Sequence, residues 1–432
     1  MIINKILWAI TTALIIVSGI YFTLKLNGVQ FKFKDIFKSI KNDNDGANVT
    51  PFQTLSMALA GRIGVGSLAG VALSIHIGGI GSVFWMWITA FLCAPNAFSE
   101  GLLGVMYHKK SEDGIYCGGP SYYIRDGLKK KGWANLYAIL IIVAYIFGFL
   151  SIQSNTITNS ITNVINIKPI IIGIIITFIT SLIIFKGDKG IINAASKLVP
   201  IMSVIYIGVT LFILIINIDK IPIMIIDIIK SAFNFRALGM GVLTTFIIGL
   251  QRGIFSNEAG IGTGAIASAT TDTNDSVKQG LLQILGVYFT TLIICTITAF
   301  VIILSDYDVQ MFNNINGIEI TNYAFSYFIG DLGNITVIIS IILFAFSTIV
   351  AGYYYGESNL KFFTKDSRLI PFLKIITLII LLFSSIVSAE FLWDFVDMFV
   401  AVLGIINIIA LFYLRKDILK AWKIYQKNKK MW

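Results

Sequence analysis

The 432-residue sequence contains little charge for its length. Asp, Glu, Lys and Arg make up 13% of its residues and hydrophobic residues 56%, whereas soluble proteins usually carry about 25% charged residues. A folded protein with so few charged residues is stable only if most of its surface faces hydrocarbon. Apolar runs long enough for a membrane-spanning helix, about 20 residues, recur along the chain, and the alternating strand pattern of a membrane β-barrel is absent from the sequence. The composition therefore predicts an all-α membrane protein.

Thiols and imidazoles are also scarce. The three cysteines, Cys93, Cys117 and Cys295, are too few and too scattered for a disulfide framework or a metal site. The two histidines, His76 and His108, lack the HExxH-type spacing of a zinc enzyme. The sequence shows no His-centred nucleophile and base at membrane depth. We therefore expect neither an enzyme nor a bound cofactor.

Eleven apolar segments predict a bundle of eleven transmembrane helices. They lie at residues 6–24, 52–77, 81–107, 134–156, 168–185, 198–217, 238–268, 279–304, 333–356, 371–388 and 393–414. The first segment follows a single lysine and lacks a small-residue cleavage site. It is therefore interpreted as a retained helix rather than as a signal peptide.

Basic residues are distributed unevenly among the connecting segments. Most of the 33 lysines and arginines fall in six of them, at 25–51, 108–133, 186–197, 269–278, 357–374 and 415–432. The positive-inside rule places these six in the cytoplasm, with the N-terminus outside and the C-terminus inside. The net charge of +10 is thus interpreted as a topology signal at anionic lipid rather than as a nucleic-acid site. The predicted location is the inner (plasma) membrane.

The second predicted span contains a cluster of glycines at its centre. Thr50-Pro51 opens the span with a capping hydroxyl and a proline at the first helical position, and Gly64, Gly66 and Gly70 follow. Since each glycine costs about 1 kcal/mol in a helix interior, the helix can open here. Close packing of helices through small residues is the alternative interpretation.

The seventh predicted span is richer still in glycine, and Gln251-Arg252 places polar groups at membrane depth. Its glycines are Gly239, Gly241, Gly249, Gly253, Gly260, Gly262 and Gly264. We therefore predict a second interrupted helix. Each interrupted helix begins a group of five spans, and the two groups run in opposite directions, which is typical of an inverted-repeat secondary transporter. The predicted domains are an extra helix with its linker (1–50), two five-helix repeats (51–217 and 218–414) and a basic tail (415–432).

The first interruption offers groups for two kinds of solute. Opening at Gly64–Ser67 exposes the N–H groups that begin the second half-helix, and these suit a carboxylate. The last carbonyls of the first half-helix, from Ala60 to Ile63, point the other way and suit a cation. One break thus predicts complementary sites for an amino-acid carboxylate and Na⁺.

Several sequence strings resemble the alanine/glycine:cation symporter family. The run GVGSLAGVA at 64–72 is similar to the GTGNIAGVA segment of that family, and further similar strings follow in order. They are FWMW at 84–87, Glu100, GGPSYY at 118–123, FSNEAG at 255–260, Gln279-Gly280, CTITA at 295–299 and YYGE at 354–357. The resemblance, over about residues 50–415, implies a LeuT-like fold of five plus five helices after one extra helix. It also implies symport of alanine or glycine driven by Na⁺, occasionally by H⁺.

The resemblance further implies a cation site. Na⁺ would lie between the carbonyls of Ala60 and Ile63 and the hydroxyls of Ser347 and Thr348 in the ninth span. Oxygen ligands without thiolate or imidazole suit an alkali ion. Back-bonding of the two hydroxyls to their own helix is the alternative interpretation.

For the substrate, the resemblance assigns the carboxylate to the backbone N–H groups of Val65 and Gly66, with Gly64 and Ser67 beside them. Ser67 stands where the family usually has asparagine, and its shorter hydroxyl predicts a lost or shifted contact. The run GTGA at 262–265 stands where a GSAP-like run is usual. Alanine or glycine is therefore the default substrate prediction, and the fold is predicted more firmly than the substrate.

The second interruption supplies further substrate-binding candidates. They are the aromatic rings of Phe246 and Phe255 and the amide of Gln251. Packing in the core is the commoner fate of such aromatic residues, and it is the alternative interpretation for both rings.

Two arginines flank the predicted breaks. An unpaired guanidinium in the membrane costs several kcal/mol, so Arg62 and Arg252 each need a partner. The predicted partners are Glu100 and Glu258, with Gln251 alongside. These pairs act as gates that open in one state, or they are permanent structural pairs, or the arginines extend to the membrane interface.

Other functions share parts of this pattern. An ion channel would show repeated filters or charged rings rather than interrupted helices in inverted halves. A substrate sensor on a transporter fold would normally carry a large signalling domain, and the segment after Leu414 is short. Coupling to H⁺ would require Glu100, Glu258 or Glu357 to carry the proton, and transport of another neutral amino acid is a further alternative.

Overall fold

The structure, a computed structural model, describes residues 2–41, 49–111, 114–162, 164–233, 242–273, 275–308, 317–364 and 368–429. Gly239 and Gly241 of the predicted seventh span lie outside the described residues. The described chain is helical except for connecting segments and a short antiparallel hairpin, in which β1 (Lys109–Lys110) pairs with β2 (Tyr116–Cys117).

The described residues form twenty α-helices, numbered here in chain order. The first ten are α1 (Ile2–Lys25), α2 (Phe33–Lys38), α3 (Pro51–Arg62), α4 (Ala69–Gly78), α5 (Ser82–Met106), α6 (Pro120–Asp126), α7 (Lys131–Ile142), α8 (Leu150–Thr162), α9 (Pro169–Ile184) and α10 (Gly187–Ile215). The others are α11 (Ile221–Ala232), α12 (Val242–Asn257), α13 (Thr263–Ser268), α14 (Ser276–Val287), α15 (Thr296–Leu304), α16 (Gly317–Ile329), α17 (Asp331–Phe363), α18 (Leu369–Ser384), α19 (Ala389–Tyr413) and α20 (Arg415–Lys429).

Seven helices in the described part of the chain are long and apolar enough to cross a membrane. They are Asn4–Lys25, Ser82–Met106, Lys131–Thr162, Gly187–Ile215, Ser276–Leu304, Asp331–Phe363 and Phe391–Tyr413. Two of them contain π-helical stretches, Val143–Phe149 and Tyr288–Cys295, which the sequence did not predict. The protein is therefore an all-helical, multi-pass membrane protein.

The first predicted interruption is confirmed. Thr50 caps α3 in a reciprocal capping box with Gln53, and Pro51 occupies the first helical position. The helix ends at Arg62, a 3-10 turn occupies Val65–Ser67, and α4 begins at Ala69. The two half-helices, of 12 and 10 residues, are each too short to cross a bilayer alone.

The seventh predicted span is also interrupted, but after the predicted polar stretch: α12 continues through Gln251-Arg252 and ends at Asn257, and left-handed backbone follows it. Between α12 and α13, φ is 52° at Glu258, 100° at Gly260 and 106° at Gly262, and such values end a helix. The exposed backbone is satisfied by other helices: Asn407 Nδ2 donates to Gly260 O at 2.9 Å and Tyr137 Oη donates to Ile261 O at 2.7 Å.

Gly262→Ala is expected to destabilise the folded protein by roughly 2–5 kcal/mol, because left-handed strain adds to crowding in a packed core. A Cβ there would lie 2.3 Å from Pro120 Cγ and 2.5 Å from Tyr137 Oη. The measurement is the thermal unfolding midpoint in detergent. Gly330→Ala is the matched control, because Gly330 has φ of 57° and open space around its Cβ position. Equal decreases of the unfolding midpoint in Gly262→Ala and Gly330→Ala would contradict the expectation that crowding adds to the destabilisation.

Several boundaries differ from the predictions. The predicted loop at 186–197 forms the first turns of α10, and the predicted loop at 305–332 contains α16. The start of α10 was missed because its charges suggested a loop. Asp188 is only 3% exposed, and Lys361 of α17 lies 2.8 Å from its Oδ2. Tertiary pairing thus allows a helix where the local sequence predicts an aqueous segment.

The packing places both interruptions near the same helices. α3 packs against α10 and α17 as well as α13 and α14, while α5 packs against α12, α13 and α14. The basic tail forms α20, in which Trp422 packs on Phe98 at 5.3 Å between ring centroids and Lys429 Nζ lies 2.5 Å from Asp35 Oδ1. Helices α17 and α3 carry the residues predicted to bind the cation.

Candidate functional site

The carbonyl end of α3 faces two hydroxyls of α17. Thr348 Oγ1 lies 3.0 Å from Ala60 O and 3.5 Å from Ile63 O, and Ser347 Oγ lies 3.4 Å from Ala60 O. All four residues are buried. The structure thus brings together the four oxygen groups predicted to bind Na⁺.

Na⁺ has nearly the radius of Ca²⁺, which holds oxygens at roughly 2.3–2.6 Å, so neighbouring ligands at right angles lie roughly 3.3–3.7 Å apart. The distances from Ala60 O to Ser347 Oγ (3.4 Å) and from Ile63 O to Thr348 Oγ1 (3.5 Å) lie in this range, whereas Ala60 O and Thr348 Oγ1, at 3.0 Å, are at direct hydrogen-bond distance. The helix end also supplies carbonyls without intrahelical partners and the negative end of the helix dipole. Both hydroxyls donate to Phe344 O as well, at 2.8 Å from Ser347 and 3.1 Å from Thr348, so back-bonding accompanies this arrangement.

The amide end of the same break contacts a glutamine that the sequence analysis missed. Val65 N donates to Gln153 Oε1 at 3.2 Å, so Gln153 engages one of the two amides predicted to bind a carboxylate. Gln153 is 3% exposed and lies on α8. The polar run Ser151–Asn155 inside an apolar span could have identified it, because polar groups at membrane depth are commonly functional.

Glycines at the break allow close approach of other helices. A Cβ on Gly64 would lie 2.5 Å from Thr348 Oγ1, and a Cβ on Gly66 would lie 3.1 Å from the ring of Phe255. The Phe255 ring stacks on Phe149 at 5.6 Å and contacts Trp393 at 5.3 Å, centroid to centroid. Phe255 is thus the predicted aromatic residue that reaches the first break.

Phe246, the other aromatic residue predicted to line the substrate site, lies away from Phe255. Its ring packs edge-on against Trp85 at 4.7 Å. Phe246 precedes Phe255 by nine residues on α12, which corresponds to about 13 Å along the helix. Phe246 therefore packs among aromatic neighbours, as the alternative interpretation states.

Arg252 pairs with an aspartate rather than with either predicted glutamate. Arg252 Nη2 lies 3.9 Å from Asp397 Oδ2, its guanidinium lies 5.4 Å from the Trp393 ring, and Gln251 Nε2 donates to Asp397 Oδ2 at 3.5 Å. Asp397 is a charge inside the predicted span 393–414, and that position could have identified it. The substrate candidate Gln251 thus belongs to an ion-pair network at α19.

Arg62 and Glu100 approach each other around Gly264 without forming a close ion pair. A Cβ on Gly264 would lie 2.7 Å from Arg62 Nη2 and 3.4 Å from Glu100 Oε2. Arg62 Nη1 donates to Gln283 O at 3.4 Å. Within the described residues, Arg62 Nε and Nη2 and Glu100 Oε2 are buried without a hydrogen-bond partner. Complementary polar atoms thus face one another across a small gap.

The two glutamates predicted as gates also support the second break. Glu100 Oε1 accepts from Gly260 N at 2.8 Å and from Asn407 Nδ2 at 2.6 Å. Glu258 accepts from Tyr145 Oη at 2.9 Å and from Thr263 Oγ1 at 2.7 Å. Glu258 directly follows the end of α12 and is 1% exposed.

Ser67 also has a distinctive environment. Its side chain is fully buried, and its hydroxyl makes no close hydrogen bond within the described residues. Its polar neighbour is the thiol of Cys295, which is a weak hydrogen-bonding group. The position where the resembling family usually has asparagine therefore presents a weakly satisfied polar atom next to the break.

The chain is similar to known proteins along its whole length. The sodium:alanine symporter family model matches residues 1–432. The probable sodium/glutamine symporter GlnT of Bacillus subtilis is 36% identical over 99% of this chain and 90% of its own length. The sodium/alanine symporter AgcS of Methanococcus maripaludis is 30% identical over 99% of this chain and 97% of its own length.

Among solved structures, a Na⁺-coupled sialic acid symporter in a substrate-bound outward-open state is similar. The match has a TM-score of 0.50, covers 95% of this chain and 82% of that chain, and has 14% sequence identity. At that identity the likeness concerns the fold alone. With a family match along its whole length and relatives that are transporters rather than enzymes, the chain belongs to the sodium:alanine symporter family.

Proposed function

We propose that the protein carries a small neutral amino acid, alanine or glycine, into the cell together with Na⁺ by alternating access. The observation that carries the proposal is the approach of Thr348 Oγ1 to Ala60 O and Ile63 O, at 3.0 and 3.5 Å. This oxygen cluster lies directly before the amides of the same interrupted helix. Na⁺ would bind Ala60 O, Ile63 O and the two hydroxyls of α17.

The substrate would bind on the amide side of the break. Its carboxylate would accept from Gly66 N and, by displacing or sharing Gln153 Oε1, from Val65 N. The ring of Phe255 would form one wall beside Gly66. Because the carboxylate and Na⁺ carry opposite charges at one break, they attract each other. Each ligand then raises the affinity for the other by the same factor, which couples the two movements.

The proposal includes a LeuT-like architecture with eleven spans. The interrupted pairs α3–α4 and α12–α13 would be the first helices of two inverted five-helix repeats, with α1 as the extra helix. The basic connecting segments and α20 would lie in the cytoplasm, and the N-terminus outside, in the inner membrane. The fold likeness to a Na⁺-coupled symporter and the two observed interruptions support this assignment.

Glutamine is the second candidate substrate. The relative GlnT is named a probable sodium/glutamine symporter, and Ser67 is smaller than the asparagine usual in the resembling family. Its weakly satisfied hydroxyl could hydrogen-bond a side-chain amide of the substrate. Alanine and glycine offer no such group.

The test is uptake in liposomes that contain the purified protein. Radiolabelled alanine should accumulate with an inward Na⁺ gradient, not with equal Na⁺ on both sides, and a protonophore should leave the accumulation unchanged. Protein-free liposomes are the control. Strong competition by excess glutamine with weak alanine uptake would favour the second candidate. If no amino acid moves under either a Na⁺ or an H⁺ gradient in folded protein, the proposed function is wrong.

A further inference from the structure

A pocket with a volume of about 440 Å³ opens where three helices meet, far along α17 from the cation cluster. The starts of α10 and α18 and the last turns of α17 form it. Its charged and rigid lining residues are Lys186, Asp188, Lys189, Glu357, Pro371 and Lys374. The volume lies within the usual range of small-ligand sites, roughly 300–1,000 Å³.

Three lysines give this pocket a positive rim. Lys186, Lys189 and Lys374 form no ion pair with a carboxylate of the described residues. The two acidic residues of the pocket are paired inward: Lys361 Nζ lies 2.8 Å from Asp188 Oδ2 and 3.0 Å from Glu357 Oε1. Because one ammonium offsets two carboxylates, one negative charge remains inside, and the three rim lysines leave the pocket and Lys361 together with a net charge of +2.

The helix geometry adds positive potential at the same place. The 29-residue α10 begins at Gly187 and the 16-residue α18 begins at Leu369. The first N–H groups of a helix have no intrahelical partner, and they lie at the positive end of the dipole. A pocket with two helix starts and three lysines attracts an anion.

The inner end of the pocket contains a buried carboxylate, which favours a hydrogen-bond donor rather than an anion. Glu357 is 2% exposed; its Oε1 is held by Lys361, and the hydroxyl of Tyr353 lies beside the carboxylate. Oε2 makes no close hydrogen bond within the described residues, and a carboxylate oxygen has lone pairs for a further donor from the occupant. A ligand that satisfies this pocket therefore carries an anionic group for the rim and a hydroxyl for the interior.

The surface around the pocket is apolar. Phe185, beside Lys186, is 58% exposed, and Phe372, beside Pro371, is 60% exposed. Lys374 Nζ lies 5.2 Å from the centre of the Phe185 ring. In a membrane protein, exposed phenylalanine rings face hydrocarbon, whereas lysines near helix ends reach the headgroups. The pocket is thus placed to receive a lipid headgroup while the acyl chains remain in the bilayer.

We propose that this pocket binds the headgroup of an anionic phospholipid with free hydroxyls, of the phosphatidylglycerol type. The phosphate contacts Lys186, Lys189 and Lys374, and a glycerol hydroxyl donates to Glu357 Oε2. Basic pockets between membrane helices commonly bind such headgroups. The bound lipid joins α10, α17 and α18, and the site does not depend on which amino acid the protein transports.

The experiment measures lipid-dependent stability of the delipidated full chain in neutral detergent. Phosphatidylglycerol should raise the thermal unfolding midpoint with a saturable dependence. Phosphatidylcholine should have no comparable effect. Phosphatidylmethanol has the same charge without the hydroxyls, and it should bind about fivefold more weakly because one hydrogen bond is lost.

A charge-matched pair of variants separates the pocket from general attraction to lipid. Lys186→Gln, Lys189→Gln and Lys374→Gln together should weaken phosphatidylglycerol binding about a hundredfold, at roughly 1 kcal/mol for each lysine. The control combines Lys416→Gln, Lys420→Gln and Lys423→Gln, which are exposed on α20 and change the net charge equally. This control should bind as the unaltered protein does.

Three outcomes would overturn the proposal. The first is equal weakening in the two triple variants, which would indicate nonspecific attraction. The second is equal binding of phosphatidylglycerol and phosphatidylmethanol, which would remove the role of Glu357. The third is stabilisation by inorganic phosphate but not by phosphatidylglycerol, which would assign the pocket to a soluble anion.

Discussion

Replacing Thr348 with alanine is expected to raise the Na⁺ concentration for half-maximal uptake by about 10- to 150-fold. The substitution removes one of four oxygens that surround the proposed ion. Hydrogen bonds to charged groups contribute about 1.5–3 kcal/mol, and a ligand oxygen on an ion is an interaction of that class. The measurement is initial uptake in liposomes over a series of external Na⁺ concentrations.

Two further variants make this prediction specific. Thr348→Ser keeps the hydroxyl and should retain most of the Na⁺ affinity. Thr336→Ala removes a hydroxyl that donates to Leu332 O at 2.7 Å on the same helix, and it should leave the Na⁺ dependence unchanged. If Thr348 serves only to back-bond Phe344 O, all three variants will show the Na⁺ dependence of the unaltered protein.

Linkage supplies a second readout for the Thr348 variant. Because Na⁺ and substrate couple reciprocally in the proposed mechanism, loss of Na⁺ binding should lower the affinity for the amino acid only when Na⁺ is present. Substrate binding without Na⁺ should be unaffected. A loss of affinity in both conditions would instead indicate general damage to the break.

The sequence predicted features that local chemistry determines. Pro51 favours the start of a helix, and Gly64 and Gly66 favour its interruption. These residues act on the backbone directly, so their effect does not depend on the rest of the chain. The same holds for Gly260 and Gly262, whose left-handed backbone ends α12. For that reason the first interruption lies at the predicted glycines, whereas the second follows Asn257 rather than the polar pair Gln251-Arg252, through which α12 is continuous.

Partners of the site residues were harder to predict. The contact of Arg252 with Asp397 and that of Val65 with Gln153 join residues 145 and 88 positions apart. Only the packing of helices decides which of several buried polar groups meet. Phe246 illustrates the same limit. Its position in the sequence, near the predicted second break, did not indicate the face of α12 on which it lies.

Arg62→Met is expected to destabilise the protein by about 3–5 kcal/mol, the usual cost of breaking a buried charge group by removing one member. Arg62 is 3% exposed, and Glu100 and Glu258 are 0% and 1% exposed. Its removal leaves two buried carboxylates without their nearby cation. The measurement is the thermal unfolding midpoint in detergent, together with uptake.

Neutralising one carboxylate should reverse part of that loss. In the double variant Arg62→Met with Glu100→Gln, we expect recovery of about 1–3 kcal/mol relative to Arg62→Met alone, which is the usual coupling energy of interacting residues. The amide oxygen introduced by Glu100→Gln would still accept from Gly260 N and Asn407 Nδ2, so the second break keeps its support.

Arg252→Met is the comparison for Arg62→Met, because Arg252 is a more exposed arginine with a partner at 3.9 Å. The decrease in stability caused by Arg252→Met should be smaller than that caused by Arg62→Met. Additive effects of Arg62→Met and Glu100→Gln would show that the two groups do not interact across Gly264. If the double variant regains stability but not uptake, the pair acts in gating as well as in folding, since a purely structural pair would restore both.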